Sequence, residues 1–298
     1  MKTHWLVLAM AVGAQALSAQ QDTTRIETVP VAPGLFMLVG RGGNIGVSAG
    51  DDGVFLVDDQ FAPLSGRIAE AVRKLSPRPI RFILNTHWHG DHTGGNENFG
   101  KEGVVIVAHD NVRQRMSVEQ FMVRFNTRVP ASPKAALPVV TFGERVNFHL
   151  NGETIHAIHV RNAHTDGDAV VHFQQANAMH LGDTFFNGMY PFIDLGSGGS
   201  IDGLIAAVTT VLGYANDQTK IIPGHGPLAT KADLAAYRDV LVAAREKIRA
   251  AMVGKTLAQV LAAKPTASWD AKWGAGFMKP DDFVSIVFES LSAAPKPD

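Results

Sequence analysis

Asn85-Thr86-His87-Trp88-His89-Gly90-Asp91-His92 decides how the rest of the chain is read. It directly follows Ile80–Leu84, an apolar run of strand length. In an extended segment, residues two apart face the same way, so His87 and His89 address one centre. Gly90 lets the chain turn, and Asp91 with His92 then addresses a second centre nearby. Three imidazoles and a carboxylate within six residues suit a borderline divalent metal such as zinc, because both donor types bind it. A single histidine here would read as an ordinary loop residue, but H-x-H-x-D-H after a buried strand reads as a metal site.

Composition narrows the chemistry further. The chain has 298 residues, 46% hydrophobic and 18% charged, with a formal net charge of −1. That is ample material for a packed core, so disorder is excluded as the main state. The balanced charge supplies no general field for nucleic acid or an acidic membrane surface. No nucleic-acid partner is expected, and a small molecule is the expected substrate. There is no cysteine, which excludes disulfides, thiol nucleophiles, thiolate zinc sites and cysteine-held iron–sulfur clusters. Twelve histidines leave metal binding open, through nitrogen and oxygen donors alone.

The N-terminus has the layout of a secretory signal. Lys2 precedes an uncharged apolar run from Trp5 to Leu17, and Ala14-Gln15-Ala16 offers a small-x-small cleavage pattern. The run falls short of the ~20 residues needed to span a bilayer. The expectation is a signal peptide at 1–19, a single domain at 20–298, a periplasmic location and no stable membrane insertion after cleavage.

Short strands are expected at 35–39, 44–49 and 53–57, where apolar stretches alternate with glycine-rich turns. Leu64, Ile68, Ala71, Val72 and Leu75 have helical spacing, and Pro77 and Pro79 stop that helix. Strands follow at 80–84 and 104–107, then a helix at 111–125 and a proline-rich loop at 129–138. A second strand-rich half covers 139–142, 146–150, 154–160, 169–173 and 178–181. Ser200 caps a helix reaching about Leu212, 220–222 is a short strand, and Thr230 with Asp233 forms a capping box for a helix to about Met252. Further C-terminal helices, from about residue 254, lie at 256–262 and 280–291. Two strand-rich halves with helices and no linker between them predict two stacked mixed β-sheets with helices on both outer faces. The predicted class is therefore α/β (α+β), an αββα four-layer sandwich.

His87-Trp88-His89-Gly90-Asp91-His92 resembles the signature of the metallo-β-lactamase-fold hydrolases, and the resemblance covers nearly the whole of the chain after residue 19. Three further segments are similar to that family's pattern, in its order. They are Asn162-Ala163-His164-Thr165-Asp166-Gly167-Asp168, Leu181-Gly182-Asp183-Thr184 and Ile221-Ile222-Pro223-Gly224-His225-Gly226. The resemblance implies one zinc held by His87, His89 and His164, and a second held by Asp91, His92 and His225. Asp183 bridges them, and Asp58 supports the site from beneath. The cofactor implied is two Zn²⁺, although the nitrogen and oxygen donors equally admit iron or manganese.

The reaction that the resemblance implies is hydrolysis by metal-bound hydroxide, which zinc makes available near neutral pH, with Asp91 orienting that nucleophile. No G-x-S-x-G segment offers a serine alternative. Asp183 stands where the nearest β-lactamases carry cysteine, and Phe186 where many of them carry lysine for the substrate's carboxylate. The expected substrate is a β-lactam, a lactone or an ester, in a pocket walled by Phe186, Met189, Tyr190, Phe192 and Phe121. Two other classes stay open: an iron enzyme of oxygen or sulfur chemistry on the same scaffold, and a non-catalytic metal-binding partner of a periplasmic relay.

Overall fold

The computed structural model describes residues 24–293, so the expected signal segment at 1–19 lies outside the described residues. Strands β1 (Glu27–Ala32), β2 (Leu35–Val39), β3 (Ile45–Gly50) and β4 (Gly53–Val57) pair antiparallel in chain order. Helix α1 (Ser65–Leu75) then crosses the sheet and returns the chain as β5 (Ile80–Leu84), parallel to β4. Two short helices, α2 (Gly90–Thr93) and α3 (Asn96–Lys101), lead to β6 (Val105–His109), again parallel. After α4 (Asp110–Met116) comes a separate hairpin of β7 (Gln120–Met122) and β8 (Thr127–Val129). Strand β9 (Val140–Phe142) completes the seven-stranded first sheet beside β6.

The second sheet has six strands. β10 (Arg145–Leu150), β11 (Glu153–His159), β12 (Ala169–Phe173) and β13 (Ala178–His180) are antiparallel neighbours. Helix α5 (Ile201–Tyr214) returns the chain to β14 (Lys220–Ile222), parallel to β13, and β15 (Ala229–Thr230) closes the edge. Helices α6 (Lys231–Met252), α7 (Leu257–Ala262), α8 (Ala267–Trp273) and α9 (Pro280–Ser292) finish the described chain. None of the described helices is long and apolar enough to cross a membrane.

Strand periodicity explains the layering. In β4, Phe55 and Val57 join the core between the sheets, whereas Val54 and Leu56 pack with Leu64, Ile68 and Val72 around α1. In β14, Ile222 belongs to the inter-sheet core, while Ile221 packs against the helical side with Leu204, Tyr237 and Leu241. Each central strand is therefore apolar on both faces, as a doubly covered sheet requires. The result is the expected αββα sandwich.

Local differences have physical reasons. The helix expected over 111–125 stops at Met116, where Ser117 Oγ donates to the Arg113 carbonyl and closes the last turn. The chain then forms the β7–β8 hairpin, with Val123–Phe125 as a short 3₁₀ turn and Asn126 in the left-handed region at φ 47°. Thr127 and Val129, both in β8, are β-branched and favour the extended path there. Strand β1 escapes a periodicity reading because Pro30 interrupts it; it is tolerated there because β1 is an edge strand with a register shift beside it.

Candidate metal centre

The segments after β4, β5, β11, β13 and β14 all leave the C-terminal ends of their strands, and they bring Asp58, the His87–His92 segment, His164, Asp183 and His225 together. His87, His89, His164 and Asp183 form one cluster of donor atoms, each within 4.8 Å of the others; Asp91, His92 and His225 form a second. Asp183 faces both. Its Oδ2 lies 3.9 Å from His87 Nε2 and 3.6 Å from His164 Nε2, while its Oδ1 lies 3.0 Å from His92 Nε2 and 3.3 Å from His225 Nε2. Asp91 Oδ2 stands 3.3 Å from His225 Nε2 and 3.6 Å from His92 Nε2.

Three of the imidazoles are oriented from behind, which sets the nitrogen each presents. Asp58 accepts hydrogen bonds from Thr86 N and Thr86 Oγ1 and holds His92 Nδ1 at 2.7 Å, so His92 offers Nε2. His164 Nδ1 lies 2.8 Å from the Phe192 carbonyl, leaving its Nε2 inward. His89 is reversed: its Nε2 meets Asp194 Oδ2 at 3.0 Å, and its Nδ1 lies 3.1 and 2.9 Å from His87 Nε2 and His164 Nε2. Asp194 also accepts from Ser197 Oγ at 2.6 Å, and Trp88 Nε1 donates to that hydroxyl. On the far side, Asn44 donates to the Pro223 and Gly226 carbonyls and so clamps the turn that carries His225.

The donor set fits a pair of cations. His92 Nε2 and Asp183 Oδ1 are fully buried and, although close, make no hydrogen bond. Nitrogen donors at ordinary zinc distances stand about 3.3 Å apart at the corners of a tetrahedron, and the 2.9–3.1 Å separations here approach that spacing. Glycine is needed beside two of the donors: a Cβ on Gly43 would lie 2.1 Å from His92 Cε1, and one on Gly224 would lie 2.1 Å from Asp183 Oδ1.

Electrostatics separates the two clusters. Burial drives His164 down to about 4 and His87 well below its ordinary range, so both are neutral donors. Burial acts the same way on His225, but Asp183 and Asp91 outweigh it and raise the ring to about 9. For Asp91, burial would raise the pKa, yet His92 and His225 hold it at about 2. In the metal-free protein, protons on His92 and His225 thus offset the carboxylate charge that a cation would otherwise neutralise. Asp168 is pushed up to about 8 by burial, against hydrogen bonds from Thr165 and the His164 amide that tie the His164 loop together.

A cavity of about 550 Å³ opens onto this centre, with His89, Asp91, Asp183 and His225 at its base. Phe186, Met189 and Phe192 wall it. Tyr190 and Phe121 do not. The chain alternates after Gly188 (φ 79°), so Tyr190 points away from Met189, stacks on Phe283 at 4.4 Å and donates to Asp270 Oδ1. Phe121 lies on the outer face of β7 under the Arg128 guanidinium, and its strand neighbour Met122 faces the cavity instead. Phe61, Phe125, Phe277 and Arg41 complete the lining. Sequence reasoning missed Phe61, Phe277 and Arg41, along with Asp194, since each comes from a segment with no motif; β-alternation at 120–122 could have exchanged Phe121 for Met122.

Five imidazoles and two carboxylates, carried on loops at one end of an αββα sandwich, define a dinuclear-type metalloenzyme scaffold. The chain belongs to the metallo-beta-lactamase superfamily, whose family profile matches residues 38–231. It is 28% identical over 230 residues to an atrochrysone carboxyl ACP thioesterase of Aspergillus chevalieri, covering 74% of this chain and 63% of that protein. It is 28% identical over 167 residues to a hydroxyacylglutathione hydrolase of a Polaromonas species, covering 55% of each. A 2,4-dinitroanisole O-demethylase subunit alpha from a Nocardioides species is 29% identical over 142 residues, 47% of this chain and 40% of that protein. The chain therefore matches between 40% and 63% of these relatives' own lengths. The thioesterase and the hydroxyacylglutathione hydrolase are hydrolases by name, which places this chain in a superfamily of hydrolases. Among solved structures, a metallo-beta-lactamase from Pontibacter korlensis superposes with a TM-score of 0.59 at 16% identity, covering 73% of this chain and 99% of that one. An inverting sec-alkylsulfatase from a Pseudomonas species gives 0.66 at 17%, covering 89% and 50%. These likenesses define the fold.

Proposed function

We propose that the chain is a dinuclear zinc-dependent hydrolase of a small cyclic or activated acyl substrate, a β-lactam, lactone or ester. The observation that carries this reading is Asp183, whose two carboxylate oxygens face the two halves of the donor set separately. His87, His89 and His164 would hold one zinc and Asp91, His92 and His225 the other, with Asp183 between them; the pair would supply a Lewis acid and lower the pKa of water to about 7. The remaining work belongs to the chain. Asp91, ionised near neutrality, borders the cavity and presents a carboxylate that orients the attacking water and accepts its proton. Phe186, Met189 and Phe192 exclude bulk water from the acyl group and favour an apolar substituent. Phe186 offers no charge to a substrate carboxylate, which leaves Arg41, exposed in the cavity lining, as the anchor a β-lactam would need.

The test is zinc-loaded protein against a chromogenic cephalosporin, homoserine lactones, thioesters, aryl esters, bis-p-nitrophenyl phosphate and a nitroaryl methyl ether. The last is included because of the O-demethylase relative. The reading expects turnover of an acyl substrate, two zinc ions per chain, and loss of activity on chelation that zinc restores. Redox-active iron in protein purified without added metal would overturn it. We also propose periplasmic export, on the charge and apolar run of residues 1–19; a mature N-terminus near Gln20 supports that, and an intact Met1 refutes it.

A further inference from the structure

A second cavity, of about 630 Å³, adjoins the one over the metal centre. The two share Arg41, Met189 and His225 in their linings, so they meet at the side of the centre where His225 stands. The second cavity lies between the first sheet and the turn after His225, and its walls are Val29, Met37, Val39 and Leu228. Asn44 also borders it, but that amide is committed to the Pro223 and Gly226 carbonyls. Glu27 and Arg41, both exposed in its lining, carry opposite charges, so the cavity presents no net charge to an end group.

From this arrangement we propose that the substrate carries an uncharged apolar substituent on each side of the bond that is cut. One substituent sits among Phe125, Phe186 and Phe192, the other between Val39 and Leu228. The inference rests on the hydrolase reading and names the substrate class for it: an ester or open activated acyl compound with two apolar arms. Water adds across the acyl C–O bond, its hydroxyl going to the acyl carbon and its proton to the departing alcohol oxygen. Both volumes fall within the roughly 300–1,000 Å³ of small-molecule sites, and each arm removes apolar surface from water.

The experiment uses the zinc-loaded chain and four esters: the acetate and hexanoate of phenol and of 4-butylphenol. The two-armed ester, 4-butylphenyl hexanoate, is expected to exceed the better one-armed ester in kcat/KM by about tenfold or more. Equal values overturn the proposal. Leu228→Trp fills the second cavity and should bring that ratio near one. Val39→Phe fills it from the opposite wall and serves if the tryptophan variant does not fold. If none of the esters is cleaved, the ester-hydrolase reading fails separately, and binding decides this one. A ketone isostere of the two-armed ester, titrated calorimetrically, must then bind the wild type about tenfold more tightly than the filled variant; equal affinity overturns the two-cavity assignment.

Discussion

His89 is the donor whose placement depends most on residues remote in sequence. It reaches the cluster through Nδ1 because Asp194, 105 residues away, holds its Nε2. Burial works against the Asp194 charge, but the bonds from His89 and Ser197 hold its pKa at about 2, so it is ionised at any working pH. Asp194→Ala is expected to lower metal affinity about 10–100-fold, measured by competition with a chromophoric chelator. Asp194→Asn, which keeps an acceptor oxygen, should lose less. A backbone counterpart is Gly43→Ala: its Cβ would collide with the His92 ring, so one of two metals per chain should be lost, by elemental analysis of folded protein. The clustering of the seven candidate donors was legible because strand-end loops carry them in short motifs, whereas Asp194 has no local pattern to mark it.

At the scale of elements, the long helix α6 was readable from both its cap and its stripe. Thr230 Oγ1 accepts from the Asp233 amide while the Asp233 carboxylate accepts from Thr230 N. Leu234, Tyr237, Leu241, Ala244 and Ile248 then bury one face. Thr230→Ala should cost about 1 kcal/mol of stability, read from urea unfolding. The β7–β8 hairpin was not readable in the same way. Phe121 and Phe125 are spaced as helical neighbours, yet their segment makes no helix, and tertiary contact decides its path: Phe125 packs on Phe192 at 5.1 Å and Phe277 at 5.8 Å, and Arg124 pairs with Asp282 of α9. The hairpin thus brings Met122 and Phe125 to the cavity, and long-range packing of this kind leaves no periodic trace.

Across the whole molecule, a pair of histidines adds a titratable contact to the packing between the two sheets. His109, at the end of β6, stacks on His159, at the end of β11, with ring centroids 3.8 Å apart. Burial lowers both pKa values, the neighbouring His159 charge lowers His109 further, and Asp110, Asp166 and Glu144 oppose only in part. As pH falls, the unfolded chain therefore takes up protons near 6.5 before the folded chain does. Stability from this pair is full above that value and is lost as pH drops through it toward the folded pKa values. Urea midpoints should fall between pH 7.5 and pH 5.5, and His159→Phe should flatten that slope. Chelation is the second test at this scale. Buried carboxylates and imidazoles lose the cations that bind only the folded arrangement, so the melting temperature should fall on metal removal and recover with zinc.

The sequence by itself determined the layered class and marked the candidate donor cluster, because both are written in local patterns. Strand runs apolar on both faces demand covered sheets, and histidine spacing at strand ends survives any detail of loop path. Only the tertiary structure decided which oxygen of Asp183 faces which cluster, which nitrogen each histidine presents and which aromatics wall the cavity. Those outcomes depend on partners from distant segments, Asp194 behind His89 and Phe277 beside Phe125, which meet only when both sheets and their helices are packed. Tyr190 and Met189 are neighbours in the chain, and one turn of backbone puts the first in the core and the second at the junction of two cavities.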